Sequence, residues 1–474
     1  MDSATILLVL ALVVGLYVAW NIGANDVSNA MGTSVGSGAI SLRQAILIAA
    51  IMEFCGAFFF GSHVSDTVQR GIVNPDIFAD TPMLLVYGMI SALIAAGVWL
   101  QLATYFGLPV STTHTIVGAI VGFGAVVGGT DAVYWDKVGH IILSWVISPL
   151  SGGILGFTVF TILRRKVFYS SDPVGAARKL VPALAFVIVT IFVMVMTIKG
   201  SKNIKGDFSL WQASFVSLAA ALTATSIITV LVRRIHAATL PRWRKSFIDD
   251  KTLAALDKAR KHLRRAEVSS HGDLSFKVAL ALEEVESISH DAKHAADVSA
   301  GSSEFRAVEK MFVYLQIITA CFMAFAHGAN DVANAIGPLS ASVAVLQTGI
   351  VSVKSTVPPW ILAIGGGGII IGLATWGWRV IETIGRKITA LTPSRGFSAD
   401  FSAATTVVVA SSLGLPISTT HTLVGALLGV GLARGIGAIN LSTIRDIVST
   451  WLLTLPAGAA IAVGVFYALR AIFG

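Results

Sequence analysis

Two asparagine–aspartate pairs lie inside apolar sequence, each just after a glycine. One is Gly23-Ala24-Asn25-Asp26-Val27-Ser28-Asn29-Ala30, the other Gly328-Ala329-Asn330-Asp331-Val332-Ala333-Asn334-Ala335. Carboxylate, amide and carbonyl oxygens are hard ligands that suit hard cations. Glycine lets a backbone leave helical geometry. A helix interrupted inside a membrane frees carbonyls, which is tolerated where they line a cavity or bind something. Asp26, Asn29, Asp331 and Asn334 are therefore candidate cation ligands, with helix breaks expected at Gly23 and Gly328. One copy alone reads equally well as a packing glycine beside an Asn-Asp pair bonded to a neighbouring helix. Two copies favour function.

A second pair keeps the same order and nearly the same spacing. Gly107-Leu108-Pro109-Val110-Ser111-Thr112-Thr113-His114-Thr115 returns as Gly414-Leu415-Pro416-Ile417-Ser418-Thr419-Thr420-His421-Thr422. Two motifs recurring in register mean an internal duplication. Ser and Thr after a proline are helix-start residues. A helix N-terminus offers free N–H groups and a positive dipole end, a site for oxyanions, and hydroxyls add donors. Ordinary capping uses one hydroxyl, whereas here there are three in a row, twice. His114 and His421 admit two readings: proton coupling, because His titrates near neutral pH, or a ring that orients the loop by hydrogen bonds. Glu53, alone within an apolar segment, is a further site candidate. Its counterpart falls near Gly365-Gly366-Gly367-Gly368, so no acidic twin is evident, and Asp400 is a partial substitute.

The elements that must hold these groups are membrane helices. The 474 residues are 55% hydrophobic and 13% charged, with mean hydropathy +0.78. Soluble domains carry about 25% charged residues. About twelve apolar segments can be drawn, near 4–22, 43–62, 83–106, 110–128, 139–163, 178–198, 209–232, 311–327, 359–376, 401–413, 416–434 and 447–472. The shorter ones read as half-helices or re-entrant pieces. A β-barrel would show short alternating segments instead. The first segment lacks a basic start and reads as a retained helix, not a signal peptide. Cys55 and Cys321 lie in apolar runs and read as packing residues.

The net charge is +8. In a soluble protein that would suggest nucleic acid; here the positives sit in a few loops and set orientation. Arg43, then Arg164, Arg165, Lys166, Arg178 and Lys179, then the central stretch, then Arg379, Arg386, Lys387 and Arg395 share one side. Arg70, Lys137 and Lys354 lie on the other, with Lys199, Lys202 and Lys205 as exceptions. Both termini are expected outside and the central loop in the cytoplasm. Seven segments precede the second Asn-Asp motif, so the copies are expected in opposite orientations, the inverted repeat of secondary transporters. The organisation reads as repeat 1 over 1–163, connecting helices over 164–232, a hydrophilic loop over 233–310 and repeat 2 over 311–474. The loop carries Arg233, Arg234, Arg242, Arg244 and Lys245, then Glu283, Glu284 and Glu286. Its leucines are spaced loosely like those of two amphipathic helices. A plain linker or a partner-binding module would both fit.

The paired motifs resemble the inorganic phosphate transporter (PiT) family. The resemblance extends to Phe325-Ala326-His327-Gly328, Ile336-Gly337-Pro338 and Val64-Ser65-Asp66-Thr67, covering both membrane halves but not the central loop. It implies an all-α polytopic membrane protein with an inverted repeat that imports phosphate on a cation gradient. The Gly-Ala-Asn-Asp form and Glu53 look closer to sodium-coupled members. On that resemblance phosphate is held by Asn25, Ser111, Thr112, Thr113, Asn330, Ser418, Thr419 and Thr420. Sodium is held by Asp26, Asn29, Asp331, Asn334 and Glu53, as a co-transported ion and not a resident cofactor. Members often assemble as homodimers in the lipid bilayer, and no nucleic-acid partner is implied. The physics agrees: bare carboxylates would repel phosphate, and a cation between them removes the conflict. The alternatives are proton-coupled carriage of phosphate, of metal–phosphate or of sulfate. A channel would need a continuous pore. No His-Glu-x-x-His, P-loop or Gly-x-Ser-x-Gly enzyme signature is present.

Overall fold

The computed structural model describes residues 2–200, 209–235, 250–270, 273–300, 302–351, 357–378, 380–381, 391–435 and 441–474. Lys202, Lys205, Arg242, Arg244, Lys245, Lys354, Arg379, Arg386 and Lys387 lie outside them. Fourteen α-helices of these residues are named here. They are α1 (Ser3–Gly36), α2 (Leu42–Arg70), α3 (Pro82–Tyr105), α4 (Thr112–Val127), α5 (Trp135–Leu163), α6 (Pro173–Gly200) and α7 (Leu210–Arg233). Then follow α8 (Asp250–Ser269), α9 (Asp273–Ala300), α10 (Ser302–Thr348), α11 (Pro359–Thr375), α12 (Pro393–Ser412), α13 (Thr419–Arg434) and α14 (Leu441–Phe473). Without α8 and α9 they correspond one to one with the twelve apolar segments. Eight are long and apolar enough to cross a membrane. Among the described residues the only β pairing is the bridge Val73–Val133. The protein is an all-helical polytopic membrane protein.

Close glycine contacts fix the directions. A Cβ on Gly56 would lie 2.1 Å from Phe325 O, and Gly61 and Gly337 abut Val332 and Val68, so α2 and α10 run parallel. The twin pair α1 and α11 is parallel too, with Gly368 against Leu16 and Ala19 and Gly372 against Trp20 and Ala24. Likewise α5 runs with α13 (Gly425 on Pro149, Gly429 on Gly153) and α4 with α14 (Gly118 on Leu455, Gly122 on Ala459). Gly15 packs on Leu339 while Asp26 approaches Asp331, so α1 and α10, which carry the two copies of one motif, cross antiparallel. The repeat is inverted.

The two expected helix breaks are absent. α1 runs unbroken through Gly23 and Asp26, and α10 through Gly328 and Asp331. The glycines serve helix crossing instead. A Cβ at Gly23 would sit 2.0 Å from Ile369 O, and one at Gly328 2.2 Å from Glu53 O. The interruptions lie at the other motif. α3 ends in a Schellman turn: Gly107 N donates to Thr104 O (3.0 Å) and Leu108 N to Ala103 O (2.9 Å). α12 ends the same way, Gly414 N to Ser411 O (3.0 Å) and Leu415 N to Ala410 O (3.0 Å). Gly107 and Gly414 take φ +66° and +70°, where a side chain would be strained. A proline then bars helical continuation, and Ser111 or Ser418 starts the next helix, its Oγ accepting from His114 N or His421 N at 3.2 Å. Thus α3–α4 and α12–α13 are hairpins whose tips meet inside the protein. Segment 401–413 starts at Pro393, earlier than its apolar run suggests. The boundary at 310/311 falls inside α10.

Candidate functional site

The four hairpin and helix motifs converge on one buried cluster, in which Asn25, Asp26, Asn29, Asn330, Asp331, Asn334 and the two Ser-Thr-Thr runs are each no more than 3% exposed. Each aspartate helix reaches across to the hairpin of the opposite repeat. Asn29 Nδ2 donates to Thr420 Oγ1 at 2.8 Å, and Asn334 Nδ2 to Thr112 and Thr113 Oγ1 at 3.2 Å each. Thr419 Oγ1 donates to Asp331 Oδ2 at 2.7 Å, and Thr112 faces Asp26 in the matching position. The hairpin tips are cross-tied, Thr113 Oγ1 to Ile417 O (2.9 Å) and Thr420 Oγ1 to Val110 O (3.2 Å). Neither repeat makes this cluster alone.

Asn25 and Asn330 do a different job from the one expected. Asn25 Nδ2 donates to Thr104 Oγ1 (2.9 Å) and Leu108 O (3.1 Å), and its Oδ1 accepts from Val110 N (3.3 Å). Asn330 Nδ2 donates to Ser411 Oγ (2.9 Å) and Leu415 O (3.2 Å). Their amides hold each hairpin tip against its own repeat's long helix. Ser111 and Ser418 likewise act as N-caps. Thr112, Thr113, Thr419 and Thr420 are the hydroxyls that face the carboxylates and Asn29 and Asn334.

Ligand atoms of Asp26, Asp331 and His327 lie within 4.8 Å of one another. Asp26 Oδ2, Asp331 Oδ1, Asn29 Oδ1 and Asn334 Oδ1 are buried with no hydrogen-bond partner among the described residues. Orphaned buried oxygens of this kind are costly unless something positive meets them. Two carboxylate and two amide oxygens form the donor set a hard cation takes.

His327 is the residue that motif reading missed as a ligand. Its Nε2 lies 3.0 Å from Asp331 Oδ2 and its Nδ1 3.2 Å from Glu53 Oε1, all fully buried. Glu53 therefore stands behind His327, outside the group that approaches Asp26. The twin contacts of Gly23 and Gly328 pair Glu53 with Ile369 and, one residue before each glycine, His327 with Ile22. The symmetry is broken on one side only. Asp400 is not a stand-in for Glu53. It accepts from Thr33 Oγ1 at 2.6 Å in a separate buried group. Neither ring nitrogen of His114 has a hydrogen-bond partner among the described residues. His114 packs instead on Trp145 at a tilt (3.9 Å, 35°) and meets His421 edge-on (4.3 Å), while His421 stacks on Trp451 (3.5 Å). Loop orientation by His114 hydrogen bonding is thus replaced by aromatic packing.

Comparison with known proteins follows the same lines. The family model described as "Phosphate transporter family" matches residues 22–462. "Inorganic phosphate transporter 2-1, chloroplastic" of Arabidopsis thaliana is 44% identical over 457 residues, covering 95% of this chain and 70% of that protein. A solved structure titled "The sodium-dependent phosphate transporter" superposes with a TM-score of 0.78 at 38% identity, covering 98% of this chain and 99% of that one.

Proposed function

The chain belongs to the phosphate transporter family, and we propose that it is a secondary symporter importing inorganic phosphate on a sodium gradient. The observation that carries this reading is the contact of threonine hydroxyls with the buried carboxylates, within repeat 2 for Asp331 and between the repeats for Asp26. Thr419 spends its donor on Asp331 at 2.7 Å, and Thr420 approaches Asp26 Oδ1 at 3.3 Å. An anion cannot take those donors while the carboxylates hold them. Sodium on Asp26, Asp331, Asn29 Oδ1 and Asn334 Oδ1 supplies the positive charge the carboxylates need. The hydroxyls of Thr112, Thr113, Thr419 and Thr420, at helix starts with free N–H groups, then turn to phosphate. Each ligand favours the other's binding, and that linkage is reciprocal. The site lies at the interface of inverted repeats, as alternating access requires. Its ions are cargo, and no group performs covalent chemistry.

The faces follow the charges. The end of α5 (Arg164, Arg165, Lys166), the start of α6 (Arg178, Lys179) and the start of α10 (Arg306, Lys310) share one face. The positive-inside rule makes it cytoplasmic, with both termini outside. Radiolabelled phosphate uptake into proteoliposomes tests the function. A sodium gradient is expected to drive saturable uptake, lost in T112V/T419V. Uptake driven by a proton gradient alone would replace sodium in this reading.

A further inference from the structure

The α6–α7 pair has no twin in the duplication, and α6 packs chiefly on α7 and along α10. Each repeat sets an aromatic pair beside its asparagine–hydroxyl contact. Phe325 precedes Asn330 on α10 as Trp20 precedes Asn25 on α1, and Phe60 follows Glu53 as Trp376 follows Ile369. Phe60 meets Phe325 edge-on with ring centres 5.1 Å apart, and Trp20 meets Trp376 at a tilt, 5.6 Å apart. The two pairs differ in cover. Phe325 is 2% exposed and Phe60 9%, whereas both tryptophans are half-buried. The difference is α6. Phe192 meets Phe322 at a tilt (4.4 Å) and Phe325 edge-on (5.2 Å). Phe60, Phe325 and Ala329 form an apolar cluster separate from the main core, and Phe192, Val195 and Met196 pack on it.

A cavity of about 20 Å³ separates these α6 side chains from Ala329 and from Ser411 and Ser412 at the tip of the α12–α13 hairpin. Ser411 Oγ accepts from Asn330 Nδ2 at 2.9 Å, so the cavity ends one hydrogen bond from the neighbour of Asp331. α12 begins beside the early turns of α10, where Ser394 N donates to Glu309, and ends at this tip. The cavity therefore lies between the central cluster and the face on which α10 starts. It has room for about one water molecule. A phosphate ion is too large for it, and would give up its hydration against apolar walls at high cost. Apolar constrictions of this kind close polar paths.

Resting on the phosphate reading of the central cluster, we propose that Phe192, seated on Phe325 and Phe60, gates the half-path from that cluster to the face where α10 starts. Opening takes Phe192 and Met196 out of the ring cluster. That is a movement of α6 against α10, and it leaves the hydroxyls and carboxylates of the site in place. The Trp20–Trp376 pair lacks this α6 layer, so the opposite half-path opens without α6. The duplication supplies two ring pairs, and the unduplicated helix makes one of them the tighter seal.

The test uses the full chain with C55A and C321A, so that S412C, on the cavity wall, is its only thiol. A charged, membrane-impermeant methanethiosulfonate is added to either side of proteoliposomes reconstituted in one orientation, without phosphate or sodium. S412C is expected to react slowly, and only from the face on which α10 starts. Adding F192A should speed that reaction about tenfold, the effect of losing a ring contact of this kind. F192L, which keeps apolar bulk without the ring, should speed it less, and it carries the comparison if F192A does not fold. Sodium-dependent phosphate binding in detergent should stay within about twofold in the folded variants, because Phe192 touches none of the site's polar groups. An S412C rate that neither substitution changes, or reaction from the opposite face alone, would overturn the gate. The labelling needs neither phosphate nor sodium, so it fails separately from the symport reading.

Discussion

Asp26 and Asp331 share one electrostatic problem. Two carboxylates buried with ligand atoms within 4.8 Å repel by about 3 kcal/mol at an effective dielectric of ~20. Threonine and asparagine donors offset part of that, and His327 adds another on the Asp331 side. Each carboxylate still keeps one orphaned oxygen, Asp26 Oδ2 and Asp331 Oδ1. If those oxygens hold sodium, Asp→Asn at either position keeps the shape and removes the charge that binds it. Sodium titrations of phosphate binding in D26N and D331N should shift to about tenfold higher sodium or more, roughly 1.4 kcal/mol, with phosphate affinity falling in step. The D331N protein should also fold less well, because Asp331 Oδ2 serves both Thr419 and His327. An unchanged sodium response in both variants would move the cation site elsewhere.

At the level of elements, the hairpins depend on one backbone conformation. Gly107 sits at φ +66°, where an L side chain costs about 1–2 kcal/mol. Gly38 has a similar φ of +75°, with nothing within 4 Å of an added Cβ, and it lies away from the cluster. G38A and G107A should therefore lose comparable thermal stability in detergent. Only G107A should weaken phosphate binding, because its turn presents Thr112 and Thr113; equal binding losses would mean the effect is global. These hairpins are legible in sequence, since Gly-Leu-Pro-x-Ser states both the stop and the restart. So is the duplication, whereas the sequence assigns the hydroxyls to the anion and the carboxylates to the cation and does not show that they meet. Other features need the fold. Gly23 and Gly328 carry the same local signal whether they break a helix or let two cross. The choice is made by Ile369 and Glu53, whose carbonyls approach from elements far along the chain. His327 precedes its motif in one copy only, its twin being Ile22, so repetition cannot point to it. Asn25 reads as a ligand until Leu108 and Val110 are seen to take its amide.

At the scale of the whole molecule, the two inverted repeats meet at the central cluster, and the α8–α9 pair hangs outside that plan. α8 and α9 pack on each other and are joined by an exposed ion pair, Arg264 Nη2 to Glu286 Oε1 at 3.0 Å. An exposed pair of this kind contributes at most about 1 kcal/mol. The end of α7 does not need this segment to stay in place, because Arg178 Nη2 donates to Ile235 O at 2.7 Å and ties it to α6. On the other side α10 is packed along α2, α1 and α12, and its first turns are pinned by the Glu309 bonds to Ser394. Replacing residues 250–300 with a flexible Gly/Ser join should therefore leave both repeats intact. Sodium-driven phosphate uptake, normalised to folded protein by size exclusion, is expected within about twofold of the full chain, with the sodium response unaltered. A protein that folds and inserts normally yet transports nothing would show that α8 and α9 take part in the transport cycle itself.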